Sequence, residues 1–181
     1  MSDFENEIHE DLEKITAKLL KFTGDQRQGL PPSVFRMVSQ LTPMVNIDLL
    51  IKDEVGRTLL SWRADEFYGP GWHIPGGIIR FKEKISLRIA KLAKDELGCD
   101  IKCSTQPIAV HELMATTRDV RGHFISLLYH STLLTQPNLS LQAIDPILKT
   151  GEWRWFDHCP KNLIAQHEIY RNKISLKNVQ N

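Results

Sequence analysis

The sequence predicts an α/β sandwich built around a mixed β-sheet, with a helical extension at its N-terminus. Three observations carry that expectation. Apolar residues recur at helical spacing up to Gly24 and at strand spacing after Pro43. One helical pattern, residues 84–97, separates two groups of strand-like segments. Glycine- and proline-rich turns punctuate the chain at short intervals. At 181 residues, with 41 % hydrophobic and 25 % charged residues, length and composition fit one ordinary globular domain with an appendage.

Each element follows from its local pattern. Phe4, Ile8, Leu12, Ile15, Leu19 and Phe22 form one stripe of a first helix, with Glu and Lys on its other faces. An isolated helix of this length is marginal in water, so the stripe is expected to dock on the main domain or on a second copy of the chain, as a homodimer. Residues 24–32 (GDQRQGLPP) read as a linker, and a short helix follows over Ser33 to Leu41. The expected divisions are a helix and linker over 1–31, the main domain over 32–175 and a tail over 176–181.

From Pro43, MVNIDLLI and RTLLSWR flank the turn DEVG and read as a β-hairpin. GPGWHIPGG, residues 69–77, is expected to hold no regular element. Residues 84–97 place Ile85, Ile89, Leu92 and Ala93 on one side of a helix closed by Gly98. Strands are expected near 107–114, 123–134 and 152–156. A last short helix spans about Lys161 to His167 and extends toward Ile174.

Twenty-three Lys and Arg against 22 Asp and Glu leave a net charge of +1, without the basic excess of a nucleic-acid binder. Any anion must therefore meet a local basic cluster. No window holds the ~18 apolar residues of a membrane span, and the acidic start MSDFENEIHEDLEK is the reverse of a secretory segment. Cys99, Cys103 and Cys159 lack paired spacing and read as reduced, mostly buried thiols. A cytoplasmic protein is expected.

Residues 76–98 carry the chemistry. A glycine pair, Gly76 and Gly77, precedes Glu83 and a helix whose last turns hold Asp95 and Glu96. Glycine lets backbone atoms approach a metal or phosphate closely, and gathered carboxylates suit Mg²⁺, which takes oxygen ligands and keeps some waters. The same carboxylates also fit a solvated helix face.

The order of these residues resembles the Nudix box. Gly77 is followed after five residues by Glu83 and after seven more by Lys91, with Asp95, Glu96 and Gly98 in register. Trp72, Pro75, Gly76 and Gly77 precede it as W-x-x-P-G-G. Gly77, Glu83, Glu96 and Gly98 match outright, and Lys91 and Asp95 are conservative replacements. Leu92 stands where a glutamate is expected, a change similar to that of the GDP-mannose mannosyl hydrolase branch. Thr42-Pro43, Asp48, Gly56, Leu59-Leu60 and Arg63 before the box, and WRWF at 153–156 after it, extend the resemblance over about 35 to 175.

The resemblance implies a Nudix α/β/α sandwich and a Mg²⁺-dependent hydrolase, with Mn²⁺ as a substitute. Its substrate would be a nucleoside diphosphate linked to another moiety, most like a GDP-mannose-type nucleotide sugar, and a nucleotide would be released. It assigns catalysis to Glu83, Asp95 and Glu96, metal binding to Gly76, Glu83 and Glu96, and substrate binding to Asp48, Arg63, Arg80 and Arg118. In that branch water attacks the sugar C1, whereas most Nudix enzymes attack phosphorus. The branch's metal-binding glutamine and histidine base fall near Lys149 and Thr150, which suit neither role. His111, His123 and Glu152 are the alternative bases. Ile78 replaces an arginine after the glycine pair, and Arg80 is the nearest substitute. Arg118 and Arg121 lie on a loop, 115–123, whose residues fit an ordinary solvated hairpin tip or a loop closing over phosphates. Leu92, Lys149 and Thr150 favour a second reading, a catalytically impaired fold that binds a nucleotide or a partner.

Overall fold

The computed structural model describes residues 3–175, and side chains from Ile8 onward. The change of period at Pro43 marks the start of the sheet. Strand β1 (Met44–Ile51) is buried on both faces from Ile47 onward because it lies inside a mixed sheet between two layers. It pairs parallel with β7 (His123–Leu133) from Met44↔Phe124 to Ile51↔Ser131. On its other edge it pairs antiparallel with β4 (Gly76–Ile78), Asp48 lying opposite Gly76. Strands β5 (Ile101–Cys103) and β6 (Ala109–Met114) follow one another antiparallel along the far edge of β7.

Alternation along β1 sends Ile47, Leu49 and Ile51 to one face and Asp48 and Leu50 to the other. The first face packs against helix α3 (Ile85–Leu92) through Ile89, Leu92, Ala93 and Leu97. The second packs with Leu128 of β7, with Leu163, and with Tyr170 and Ile174 from the C-terminal 3₁₀ segment Ala165–Tyr170 and helix α4 (Arg171–Ser175). The result is the expected α/β sandwich around a mixed sheet.

Several expectations are corrected. The segments flanking DEVG do not form a hairpin beyond one bridge, Lys52↔Thr58. Strand β2 (Thr58–Arg63) instead joins a second sheet with β3 (Gly71–His73) and β8 (Trp153–Phe156), in the order β3-β2-β8. Leu59 and Leu60 are both fully buried, one in each core cluster, so β2 needs apolar cover on both faces and separates from β1. GPGWHIPGG does contain regular structure, β3 and β4, because Pro70 and Pro75 fall just outside the paired residues. The last helix begins at Ala165, since Leu163 bridges Trp72 of β3.

Helix α3 passes into a single π turn, Ala93–Leu97, which Gly98 closes in the left-handed conformation at φ 67°. Helix α1 (Asp3–Thr23) reaches the linker with Thr23 buried and bonded by Gln26 Nε2 at 2.9 Å. Its apolar stripe does not dock on the domain: Ile8, Leu12 and Ile15 are 54 %, 59 % and 62 % exposed. Helix α2 (Pro32–Leu41) follows the linker. All three cysteines are free, Cys99 buried and the others partly so. No described helix is long and apolar enough to cross a membrane.

Candidate active site

Asp48 points to the α4 side of the sheet, where a carboxylate needs partners. It has three: the Ser126 hydroxyl in a short contact, Tyr170 OH at 3.0 Å and Asn46 Nδ2 at 2.9 Å. Burial dominates nonetheless and pushes its pKa up to about 6. Opposite it, a Cβ on Gly76 would sit 2.4 Å from Asp48 Oδ1 and 2.5 Å from the Ile47 carbonyl oxygen, so this pairing requires glycine.

Above Asp48 opens a cavity of about 470 Å³, also lined by Arg63, Tyr68, His73, Gly76, Arg121 and His167. Two imidazoles face it. His167 Nδ1 accepts the Ile74 N–H at 3.1 Å, which leaves its proton on Nε2, 3.9 Å from Asp48. Burial, with the Arg63 charge, lowers His167 to about 3; burial, His167 and Arg63 do the same to His73. Both rings are therefore neutral at physiological pH.

At the other wall three guanidinium groups surround one ring, Arg63 and Arg121 lining the cavity and Arg118 lying outside its lining. Arg63, Arg118 and Arg121 lie 4.7, 4.6 and 5.2 Å from the centre of Tyr68. Arg63 pairs with Asp65, its Nε 2.8 Å from Oδ2. Arg118 donates to the Phe67 carbonyl at 2.6 Å, and the buried Arg121 Nε has no hydrogen-bond partner. Among the described residues, only Arg63 of the three has a carboxylate partner. This is the local basic cluster that the net charge of the chain conceals, and it suits an oxyanion with several acceptor atoms.

The π turn brings Glu96 to Gly76, outside the cavity lining. Its carboxyl accepts the Gly76 N–H, and burial raises its pKa to about 8; the Gly76 bond and Arg63 oppose the shift, and Asp48 and Asp95 add to it. Two carboxyl groups, Asp48 and Glu96, thus flank Gly76, and both ionise less readily than usual.

No family model matches the chain. It is 28 % identical over 127 residues to the low-salt glycan biosynthesis protein Agl8 of Haloferax volcanii, covering 68 % of this chain and 80 % of that one. Among solved structures it resembles a MutT NUDIX hydrolase from Burkholderia pseudomallei, with TM-score 0.57, 22 % identity, and 74 % and 98 % of the two chains covered. The fold is the Nudix fold. A NUDIX-family hydrolase from Clostridium perfringens matches at TM-score 0.56 and 13 % identity over 74 % of this chain and 95 % of that one. A UDP-X diphosphatase matches at 0.53 and 18 % identity over 96 % and 80 %.

Placed on this Nudix fold, the residues singled out in the sequence separate into two groups. Gly76, Glu96, Asp48 and Arg63 come together. Glu83 does not join them: it accepts the Arg80 N–H at 3.0 Å and Arg88 Nε at 2.8 Å, which anchors the start of α3. Asp95 is exposed on the π turn. Arg80 turns away to the linker, donating to the Arg27 carbonyl at 3.2 Å. Among the described residues no three His, Cys, Asp or Glu side chains gather as a metal cluster. Leu92, in place of a glutamate, packs on Gly77, where a Cβ would meet its Cδ2 at 2.7 Å.

The alternative bases lie off the cavity lining. His123 pairs with Glu112 at 3.0 Å, Glu152 accepts the Lys149 N–H at 2.9 Å, and His111 stacks edge-on against Tyr170. Thr150 Oγ1 accepts the Ala64 N–H at 3.2 Å, so the 149–152 loop does reach the end of β2 beside Arg63. Sequence reasoning missed His167, Tyr170, Ser126 and Tyr68. Only His73 and Arg121 carried a signal, the glycine-rich run and the arginine loop.

Proposed function

We propose that the protein is a divalent-metal-dependent Nudix hydrolase that acts on a nucleoside diphosphate linked to another group, a nucleotide sugar of the GDP-mannose kind, and releases a nucleotide. The observation that carries this reading is one cavity lined by Arg63 and Arg121 and by Asp48 and Gly76, with the Glu96 carboxyl against the Gly76 N–H beside it. A relative named for glycan biosynthesis and a structural neighbour named a UDP-X diphosphatase support the substrate class.

The donors present fit Mg²⁺. They are oxygen atoms only, and two carboxyl groups held short of ionisation lack the positive charge that a cation brings. Glu96 and the Gly76 backbone would hold it, with Asp48 behind them; diphosphate oxygens and waters complete such a site. Bound there, a cation would neutralise charge on the diphosphate and orient water. Arg63 and Arg121 hold the phosphates, with Arg118 fixed against Tyr68 beside them. Ser126, Tyr170 and Asn46 keep Asp48 in place. His73 and His167, being neutral, add no charge against the cation and offer hydrogen bonds to the sugar or nucleotide.

Leu92 and the absent three-residue metal cluster favour a second reading, a nucleotide-binding module without turnover. Incubating GDP-mannose, UDP-glucose, ADP-ribose and nucleoside triphosphates with Mg²⁺ in ¹⁸O-water decides between them. Nucleotide release from a nucleotide sugar is the expected outcome, with label in the sugar for attack at carbon and in phosphate for attack at phosphorus. Binding without turnover, with Mn²⁺ as well as Mg²⁺, would establish the module instead.

A further inference from the structure

We propose that α1 is a self-association element, pairing antiparallel with α1 of a second copy of this chain. The proposal does not depend on the hydrolase reading. From Ile8 the apolar positions run Ile8, Leu12, Ile15, Leu19 and Phe22, alternating four and three residues apart. That is a 3.5-residue period, the narrow seam of a coiled coil rather than the wide stripe of a helix on a globular core. The seam is open to solvent: Ile8, Leu12, Ile15 and Phe22 are all more than half exposed, and only Leu19, near the tethered end, is partly covered.

Charge selects the occupant and its direction. The helix holds six acidic residues and no lysine from Asp3 to Glu13, then three lysines and no acid from Lys14 to Thr23. Parallel copies would lay acid on acid, whereas antiparallel copies lay acid on base. A membrane-surface helix would instead carry lysine and arginine along its polar face. Flanking the seam, Asp11 and Lys18 both occupy the position just before an inner residue, Leu12 and Leu19. In an antiparallel pair these positions of the two helices face each other; in a parallel pair Asp11 would face Thr16. The register stacking Ile8 on Leu19 and Leu12 on Ile15 of the second copy sets Asp11 against Lys18 twice. The register one heptad along would set Lys18 against Lys18. Lys14 already has Glu10 and Asp11 within its own helix, at 3.7 and 3.5 Å, whereas Lys18 has no ionic partner among the described residues.

Sedimentation equilibrium of the full chain over a concentration series tests this. The expected result is a dimer of the 20.8 kDa chain, converted to monomer by Ile15→Asp. Asp11→Lys and Lys18→Asp alone should each raise the dissociation constant about tenfold or more, and the two together should restore it. Monomer at every concentration overturns the proposal, also where that monomer co-sediments with anionic phospholipid vesicles. So does a dimer indifferent to both single charge changes.

Discussion

Glu83 and Glu96 belong to one motif and have opposite fates. Burial alone would raise Glu83, but the Arg80 N–H and the Arg88 guanidinium outweigh it and hold its carboxyl below the ordinary range. Glu96 has the Gly76 N–H and the Arg63 charge against burial and two neighbouring carboxylates, which win, and it stays protonated to about pH 8. The first glutamate has its counter-charge built in and serves the helix. The second has no directly bonded cationic partner among the described residues, and under the proposed function a bound cation would supply that charge. A shared motif therefore does not give its carboxylates one role; the charges that the fold supplies around each decide it.

The largest effect should come from Glu83→Gln. Arg88 is 4 % exposed, and losing the carboxylate leaves a buried guanidinium unpaired. A stability loss of about 3 kcal/mol is expected, read as a lower urea midpoint with the denaturant slope unchanged. Gly76→Ala comes next, because its Cβ would meet the Ile47 carbonyl and Asp48 Oδ1, neither able to yield freely. About 2 kcal/mol of destabilisation and loss of any Mg²⁺ response in thermal melts are expected.

Arg121→Gln should leave folding intact and weaken nucleoside diphosphate binding about tenfold, roughly 1.4 kcal/mol, measured by calorimetry. Comparable weakening by a surface arginine remote from Tyr68 would remove the significance of the cluster. Glu96→Gln should affect the metal-free fold only at raised pH, with sign opposite to Glu83→Gln. Glu96 titrates higher in the folded chain than the ordinary 4.5, so the folded state binds the extra proton. Its contribution to stability is present at low pH and is lost as pH rises from 4.5 through about 8. The glutamine variant should thus melt higher than wild type at pH 8.5, and the two should converge near pH 5. His73 and His167 work the other way: their stabilisation is complete above 6.5 and is lost as pH falls toward 3.

Much of the fold was legible because its periods are long and clean, as in β1, β7 and the helix that ends at Gly98. What alternation does not encode is which sheet an apolar strand joins. Leu59 and Leu60 read as one hairpin strand, yet each serves a different core. The site divides in the same way. Glu96 and Gly76 were legible as a local motif, and Asp48 as a charge in an apolar strand. His167 and Tyr170 were not, because only the tertiary fold brings the C-terminal 3₁₀ segment that carries them to Asp48. Arg80 and Glu83 show the converse: the right residue types stand at the right spacing, but the linker and Arg88 claim them.

The most direct measurement is the pH dependence of the Mg²⁺-induced melting shift in wild type, Glu83→Gln and Glu96→Gln. The expected result is a shift in wild type that grows from pH 6 to pH 9 as Glu96 ionises, persists in Glu83→Gln and vanishes in Glu96→Gln. A shift that survives in Glu96→Gln and disappears in Glu83→Gln would contradict the division between the two glutamates.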